Sequence, residues 1–157
     1  MTSSPDPVIT SYALAPNRTV RAAGTTFAYR ELGPRGDIPV VFFNHLGANL
    51  DNWDPRIIDA TAATRRVITF DQPGAGASSG QVPDTIEAAA ADAATFLGAL
   101  DLSEIDVFAF SMGAMVAQDL VLAHPGLVRR LVLTGTGPRG GKDMDKVVRT
   151  TYLDILR

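Results

Sequence analysis

The sequence predicts an α/β fold in which a mostly parallel sheet is covered by helices on both faces. Residues 40–43 form a continuous apolar run, which is typical of a strand buried on both sides, and residues 105–110, apolar except for Asp106, indicate a further buried strand. Longer segments such as the Ala-rich residues 85–100 lie between these runs and favour helices. Strands that alternate with helices predict right-handed crossovers within one parallel sheet. A chain of 157 residues is long enough to bury one core of this kind.

The order of elements begins with a hairpin, because short alternating segments at 18–22 and 25–32 flank Ala23–Gly24. Each later element follows from its apolar pattern and from the Gly, Pro or capping residues at its ends. These elements are a strand at 40–43, a helix at 54–64, a strand at 66–70, a helix at 85–100, a strand at 105–110, a helix at 112–123, a strand at 131–133 and a helix at 142–157. Asp84 is the predicted N-cap of the helix at 85–100.

The composition excludes several classes of protein. The chain has no cysteine, which excludes a disulfide scaffold, a thiol nucleophile and a cysteine-based zinc site. Its two histidines, His45 and His124, are too few for a His-rich metal centre, and the sequence indicates no metal or organic cofactor. A net charge of −3 without a basic cluster argues against a nucleic-acid partner.

The ends of the chain and its hydropathy predict domain limits and location. Residues 1–17 are rich in Pro, Ser and Thr and predict a loose lead-in, which leaves one domain at 18–157. The first residues lack the basic and apolar regions of a signal peptide. No apolar run approaches the ~18 residues of a membrane span, so we expect no membrane partner and a cytoplasmic location.

The strongest chemical signal lies where the strand at 105–110 gives way to a helix. Ser111 stands at this junction, with Ala109 and Gly113 two residues to either side. A serine on a sharp strand-to-helix turn is a nucleophile elbow, and the turn needs small neighbours because strand and helix crowd it. The turn would place the Ser111 hydroxyl above the sheet, near the N–H of Met112 and the positive end of the helix dipole. The alternative is that Ser111 only caps the helix.

Segments on both sides of this junction resemble the α/β-hydrolase fold family. Residues 40–53 resemble its third strand and oxyanion loop, which ends in Trp53. Residues 66–79 resemble its fourth strand with the D-x-x-G-x-G-x-S loop, and residues 124–133 resemble the end of its helix C and its sixth strand. Ala109 stands where the family's Gly-x-Ser-x-Gly motif has its first glycine. The resemblance is to the N-terminal portion of the family.

The resemblance implies a role for each residue of the site. Ser111 matches the nucleophile, and the backbone N–H of Met112 matches one half of the oxyanion hole. The other half falls on Leu46, or on Gly47 if the match is shifted by one residue. The implied substrate is a small molecule with an ester or related acyl group. Esterase, lactonase, carbon–carbon bond hydrolase and haloperoxidase chemistry all remain open.

Several residues near the site have both a structural and a catalytic interpretation. His45 is expected to hydrogen-bond within its loop, with the alternative that it is a base for Ser111. His124 is expected at the C-terminus of a helix, where a cation meets the negative end of the dipole. Trp53 is expected to pack. Asp71 is expected to orient the backbone of its Gly-rich loop rather than to act as the acid of a catalytic triad.

The acid and the histidine of the family's triad follow the serine along the chain, and neither is evident after Ser111. No histidine follows His124, and Asp143, Asp145 and Asp154 lie in or near a predicted helix. The resemblance therefore implies that the last strands are lacking and that the hydrolase domain is partial. A serine without a base is a weak nucleophile, so we expect the chain to be inactive alone.

Two further classes compete with this interpretation. A chain without acid and base is alternatively a non-catalytic, hydrolase-like binding or interaction module, and a bare apolar edge at 131–133 would favour self-association. Nucleotide binding is disfavoured. Residues 74–80 have the third glycine of a dinucleotide loop displaced by one, and residues 136–143 lack the first glycine and the magnesium-binding hydroxyl of a phosphate loop.

Overall fold

The computed structural model describes residue 9, residues 11–36 and residues 38–142, and these form one six-stranded sheet. Its strands are β1 (Arg18–Ala22), β2 (Thr25–Leu32), β3 (Val40–Phe43), β4 (Val67–Phe70), β5 (Ile105–Phe110) and β6 (Val128–Thr134). They lie side by side in the order β1-β2-β4-β3-β5-β6. The pairs β1–β2 and β2–β4 are antiparallel, whereas β4–β3, β3–β5 and β5–β6 are parallel.

Helices cover both faces of this sheet, which confirms the predicted mostly parallel α/β fold. Within the described ranges they are α1 (Pro55–Ala62), α2 (Ile86–Ala99) and α3 (Met112–Ala123), with 3-10 turns at Tyr12–Leu14 and Leu50–Asn52. α2 and α3 pack together on one face, and α1 packs on the other face. In the described part of the chain, no helix has both the length and the apolar character needed to cross a bilayer.

β3 shows why the apolar runs of this chain do not alternate with polar residues. Val41 and Phe43 belong to the core beneath α2 and α3, whereas Phe42 belongs to the core beneath α1. All three side chains are at most 1% exposed. Because both faces of the strand are covered, both sets of alternating positions must be apolar. β3 and its parallel neighbour β5 therefore form a rigid base for the loops at their carboxyl ends.

β6 is longer than the strand predicted at 131–133, since it begins at Val128 and ends at Thr134. The predicted strand was too short because it covered only the apolar run and omitted residues 128–130 and Thr134. The structure accommodates Arg129 through Asp106 on β5: Nε and a terminal nitrogen of Arg129 donate to the Asp106 carboxylate at 2.9 and 2.7 Å. The ion pair between Arg129 on β6 and Asp106 on β5 therefore allows β6 to begin before its apolar run.

The N-cap predicted for the α2 helix is wrong by one residue. Thr85, and not Asp84, occupies the cap, and its hydroxyl oxygen accepts a hydrogen bond from the N–H of Ala88 at 3.1 Å. Both residue types cap helices well. Their side chains differ here only in which one reaches the first turn.

The predicted lead-in at 1–17 is not loose at Tyr12. This residue is 2% exposed, and its hydroxyl donates to the carbonyl oxygen of Leu50 at 2.5 Å. Its backbone N–H donates to the Asp59 carboxylate at 2.6 Å. These partners lie 38 and 47 residues further along the chain. No local pattern around Tyr12 indicates them, because the contacts exist only once the sheet has formed.

The helix predicted at 142–157 lies, after Lys142, outside the described residues. The same holds for the candidate acids Asp143, Asp145 and Asp154. The division of the chain at residue 18 stays a prediction.

Candidate active site

Ser111 lies on the turn between β5 and α3, at the carboxyl ends of the parallel strands. Its backbone has φ 55° and ψ −119°, a positive-φ conformation that residues other than glycine rarely adopt. Its N–H donates to the carbonyl oxygen of Thr134 at 2.9 Å, and its own carbonyl accepts from the N–H of Ala114 at 3.0 Å. Backbone hydrogen bonds therefore hold the turn on both sides. Strained backbone that is held in this way clusters at functional sites.

Gly113 allows α3 to approach β3 closely. A Cβ atom at this position would lie 2.4 Å from the carbonyl oxygen of Asn44 and 2.5 Å from that of Phe43. Those atoms are backbone and cannot move aside, so only glycine fits. Ala109, on the other side of the serine, is fully buried. The crowding that the sequence predicts around Ser111 is thus present.

The hydroxyl of Ser111 makes no hydrogen bond to the first turn of α3. The alternative in which Ser111 only caps its helix is therefore wrong. A serine in the cap position normally accepts from the second or third N–H of the helix, and it needs an extended backbone to do so. The positive φ of Ser111 turns the side chain away from that geometry. The hydroxyl of this half-buried residue is consequently not used by the helix.

The first turn of α3 and the loop after β3 meet at this serine. Met112 is the first residue of α3, so its N–H is not needed for a bond within the helix and lies at the positive end of the dipole. Gly113 rests on the carbonyl of Asn44, which begins the loop that contains Leu46. The assignment of the Met112 and Leu46 N–H groups as an oxyanion hole stays a prediction.

The loop after β3 has a defined shape that sequence reasoning did not foresee. Ala48 donates to the carbonyl of His45 at 3.2 Å, which closes a β-turn with Gly47 in its third position at φ 71°. The Asn44 side chain fixes both ends of the turn. Its amide nitrogen donates to the carbonyl of Asn49 at 2.8 Å, and its amide oxygen accepts from the N–H of His45 at 3.0 Å. An asparagine directly after a buried strand was the available signal.

The two histidines occupy the structural places that the sequence predicts. Nδ1 of His45 lies 3.0 Å from the carbonyl oxygen of Leu46, and the ring packs edge-on against Phe110 with centroids 5.7 Å apart. The expected local hydrogen bond of His45 is confirmed. His124 directly follows α3 and is exposed, which confirms its expected place at a helix C-terminus.

Asp71 organises the loop after β4 and is buried. Its two carboxylate oxygens accept from the N–H of Leu50 at 2.7 Å and from the N–H of Ala77 at 2.9 Å. Burial raises the pKa of this carboxyl, and the two backbone donors oppose that rise. Gly76 lies so close that a Cβ would be 2.2 Å from a carboxylate oxygen. The expectation that Asp71 orients loop backbone is confirmed.

Two cavities are lined by residues next to the elbow. The first has a volume of about 280 Å3 and includes Trp53, Phe110 and Thr134 in its wall. Trp53 packs edge-on against Phe42 with centroids 5.2 Å apart, which confirms its expected packing role. The second has a volume of about 250 Å3, and Met115, one helical turn after Ser111, forms part of its wall.

The segment after β6 forms part of the wall of the second cavity, a contribution that the sequence did not indicate. The Gln118 side chain donates to the carbonyl of Gly137 at 3.2 Å. Arg139 forms ion pairs with Glu87 at the start of α2 and with Asp119 on α3. These contacts fasten the segment across both helices.

Comparison with known proteins identifies the family. The model of the alpha/beta hydrolase fold family matches residues 38–156. This match includes more than half of the chain and contains the elbow, the loop after β3 and the Asp71 loop. The chain belongs to the α/β-hydrolase fold family.

Individual relatives show how much of such a protein the chain spans. It is 39% identical over 113 residues to BpoC of Mycobacterium tuberculosis, which is named a non-heme bromoperoxidase, and 34% identical over 119 residues to the non-heme chloroperoxidase of Streptomyces lividans. The aligned parts cover 71% and 73% of this chain and 42% of each relative. An alpha/beta hydrolase fold protein from Chitinophaga pinensis superimposes with a TM-score of 0.84 at 36% identity, over 91% of this chain and 53% of that one. The chain thus spans about half the length of these relatives or less.

Proposed function

We propose that Ser111 is the nucleophile of a hydrolase that acts on an ester or a related small acyl substrate. The observation that carries this proposal is the hydroxyl on the β5–α3 turn, which has a strained backbone and makes no capping bond. A helix start that needed only a cap would relax to an extended cap residue and use the hydroxyl. The backbone N–H groups of Met112 and Leu46 form the proposed oxyanion hole.

The chemistry follows from these groups. The Ser111 oxygen attacks the carbonyl carbon while its proton passes to a base, and the carbonyl oxygen becomes an oxyanion that accepts from the two N–H groups. The carbon–oxygen bond to the alcohol then breaks, and the alcohol takes up the proton. Water hydrolyses the remaining acyl–serine ester and regenerates the hydroxyl. Each oxyanion donor of this kind is worth about 10²–10³ in rate in enzymes of known mechanism.

The base is the component that this chain supplies poorly. No histidine follows His124 along the chain, where the family's base stands, and His45 lies before the serine, with its ring against the Leu46 carbonyl and Phe110. His124 lies beyond the far end of α3, about 18 Å along the helix from its first residue. We therefore propose that the 157-residue chain turns over esters far more slowly than a complete hydrolase, although its serine is already positioned.

A fluorophosphonate probe tests the nucleophile without requiring turnover, because the serine oxygen displaces fluoride and the phosphorus–oxygen bond persists. The native chain and a Ser103→Ala control, altered at an exposed loop serine, are expected to be labelled, whereas Ser111→Ala is not. Equal labelling of all three chains would refute the proposed role of Ser111. Turnover of p-nitrophenyl acetate at a rate typical of complete enzymes would refute the proposed lack of a base.

The second candidate is a non-catalytic binding or interaction module, which the lack of a histidine after His124 favours. It predicts that the Ser111 hydroxyl is unreactive, so that no chain is labelled by the probe.

The names of the two relatives add one substrate pair to the assay, namely hydrogen peroxide with bromide. Halogenation that disappears in Ser111→Ala would assign that reaction to the same serine.

A further inference from the structure

The loop after β3 is bound at Leu50 by two side chains that are distant in the chain. The N–H of Leu50 donates to the Asp71 carboxylate at 2.7 Å, and its carbonyl oxygen accepts from the Tyr12 hydroxyl at 2.5 Å. These partners lie 21 and 38 residues away, and Leu50 itself is 3% exposed. Both backbone polar groups of this buried residue are therefore satisfied from outside the loop.

The contacts at Leu50 reach the turn that contains Leu46 through one peptide group. The carbonyl oxygen of this peptide group belongs to Asn49 and accepts from the Asn44 side chain at 2.8 Å, and its N–H is that of Leu50. The Asn44 side chain also accepts from the N–H of His45 at 3.0 Å. The position of Leu50 thus fixes the peptide group to which the turn is bonded.

Tyr12 is itself held by three elements of the fold. Its backbone N–H donates to Asp59 on α1 at 2.6 Å, and its hydroxyl oxygen lies 3.2 Å from Oγ1 of Thr69, a fully buried residue of β4. The guanidinium of Arg30 on β2 lies 4.9 Å from the centre of the Tyr12 ring and donates to Asp51, in the 3-10 turn of the loop, at 2.7 Å. Burial raises the pKa of the Tyr12 hydroxyl, so the group keeps its proton and donates at neutral pH. The direction of this hydroxyl is therefore fixed.

We propose that Tyr12 is a positioning residue for the loop after β3: by binding the Leu50 carbonyl, its hydroxyl keeps the N–H of Leu46 where it can stabilise an oxyanion. The inference rests on the proposed function, since it takes Ser111 as the nucleophile and Leu46 as a donor. A donor that is fixed in advance stabilises the transition state without reorganisation. A loop that moves loses part of that effect.

The rate of labelling by a fluorophosphonate measures the effect. Attack of the Ser111 oxygen places negative charge on the phosphoryl oxygen before fluoride leaves, and the serine proton passes to solvent. Tyr12→Phe keeps the ring but removes the hydroxyl. We expect the labelling rate at saturating probe to fall about tenfold, which is part of the roughly 10²–10³ that a whole oxyanion donor contributes. The probe concentration that gives the half-maximal rate should stay within about twofold.

Hydrogen exchange gives a second readout that does not require labelling. The N–H of Ala48 closes the turn around Leu46, and we expect it to exchange faster with solvent in Tyr12→Phe than in the native chain.

Thr85→Ala is the matched control, because it also removes one hydroxyl that is hydrogen-bonded to backbone, but at the start of α2. It should be labelled at the native rate, with circular dichroism showing that each chain is folded at the assay temperature. Thr69→Val removes a hydroxyl partner of Tyr12 and should slow labelling about threefold. This variant carries the test if Tyr12→Phe does not fold.

The outcomes separate this inference from the proposed function. A native chain that is not labelled refutes the nucleophile, and the role of Tyr12 is refuted with it. A native chain that is labelled, with Tyr12→Phe or its substitute Thr69→Val labelled at the same rate, overturns only the role of Tyr12. Equal slowing in Tyr12→Phe and Thr85→Ala also overturns that role, because the loss would then follow stability alone.

Discussion

Helices α2 and α3 both begin at a hydroxyl residue, and the two hydroxyls are used differently. Thr85 has an extended backbone, with φ −134° and ψ 156°, and its oxygen accepts from the N–H of Ala88. Ser111 has φ 55° and ψ −119°, and its oxygen caps nothing. The comparison shows that the residue type does not decide the role. The backbone conformation decides whether the hydroxyl stabilises the helix or stays available for chemistry.

The difference has an energetic cost, which the surroundings of Ser111 offset. A non-glycine residue at positive φ costs on the order of 1–3 kcal/mol. Close packing of Gly113 on β3 and the bond from the Ser111 N–H to Thr134 hold the turn in place. The start of α2 needs no comparable support, because Thr85 is in a relaxed conformation.

Gly113→Ala is expected to have the largest effect, because it disrupts the packing that holds the Ser111 turn. The new Cβ would overlap the backbone oxygens of Phe43 and Asn44, so the elbow could not form. We expect a loss of at least about 3 kcal/mol in the free energy of unfolding and loss of probe labelling at Ser111. Gly98→Ala is the control, since a Cβ in this α2 position meets open space, and it should stabilise the chain by about 0.5–1 kcal/mol. Urea unfolding measures both; equal stability of the two variants would contradict the packing argument.

Asp106→Asn is expected to separate damage to the sheet from damage to the elbow, since Asp106 lies near the opposite end of β5. Arg129 and Arg65 hold the pKa of Asp106 at about 2, below its ordinary value of about 3.9. Ionised Asp106 thus contributes stability above about pH 4, which is lost as pH falls towards 2. We expect Asp106→Asn to cost about 2 kcal/mol at pH 7 and to show less acid destabilisation between pH 4 and pH 2. Labelling of Ser111 should continue; its loss would show that the two ends of β5 are not independent.

Alanine substitution of the two hydroxyl residues tests the comparison directly. Thr85→Ala removes a cap and should cost about 1 kcal/mol. Ser111→Ala removes no cap and should change the free energy of unfolding by less than about 0.5 kcal/mol. Thermal or urea unfolding of the two variants gives the difference. Equal losses would mean that the Ser111 hydroxyl does stabilise its helix.

Ser111→Gly is expected to give the smallest effect, and one of opposite sign. Glycine adopts positive φ without steric cost, so relief of strain should outweigh the greater entropy of the unfolded chain and raise stability by about 0.5 kcal/mol relative to Ser111→Ala. The matched change Thr85→Gly relieves no strain and should not stabilise. A Ser111→Gly chain less stable than Ser111→Ala would show that the turn is not strained.

Residues whose role depends on near neighbours in the chain could be predicted from the sequence. The runs at β3 and β5 indicate buried strands, and Ala109 with Gly113 indicates crowding around Ser111. The strand-to-helix turn at Ser111 can therefore be predicted from the sequence, because strand, serine and helix are contiguous. The same local reasoning placed Asp71 in its Gly-rich loop.

Residues whose role depends on distant partners could not be predicted. Tyr12 is buried by contacts with Leu50 and Asp59, and β6 extends to Val128 because Arg129 finds Asp106 on the neighbouring strand. The choice between Asp84 and Thr85 as a cap depends on side-chain direction, which composition does not encode. A base for Ser111 would also be a residue distant in the chain, so local sequence patterns do not indicate it.

One hydrogen bond joins the elbow to the outermost strand, since the N–H of Ser111 donates to the carbonyl of Thr134. If β6 frays, that amide loses its acceptor and the serine turn is released with it. The hydrogen-exchange rate of the Ser111 amide therefore measures how stably the end of β6 is paired in the sheet. Any contact that stabilises β6 therefore also stabilises the turn that carries the Ser111 hydroxyl.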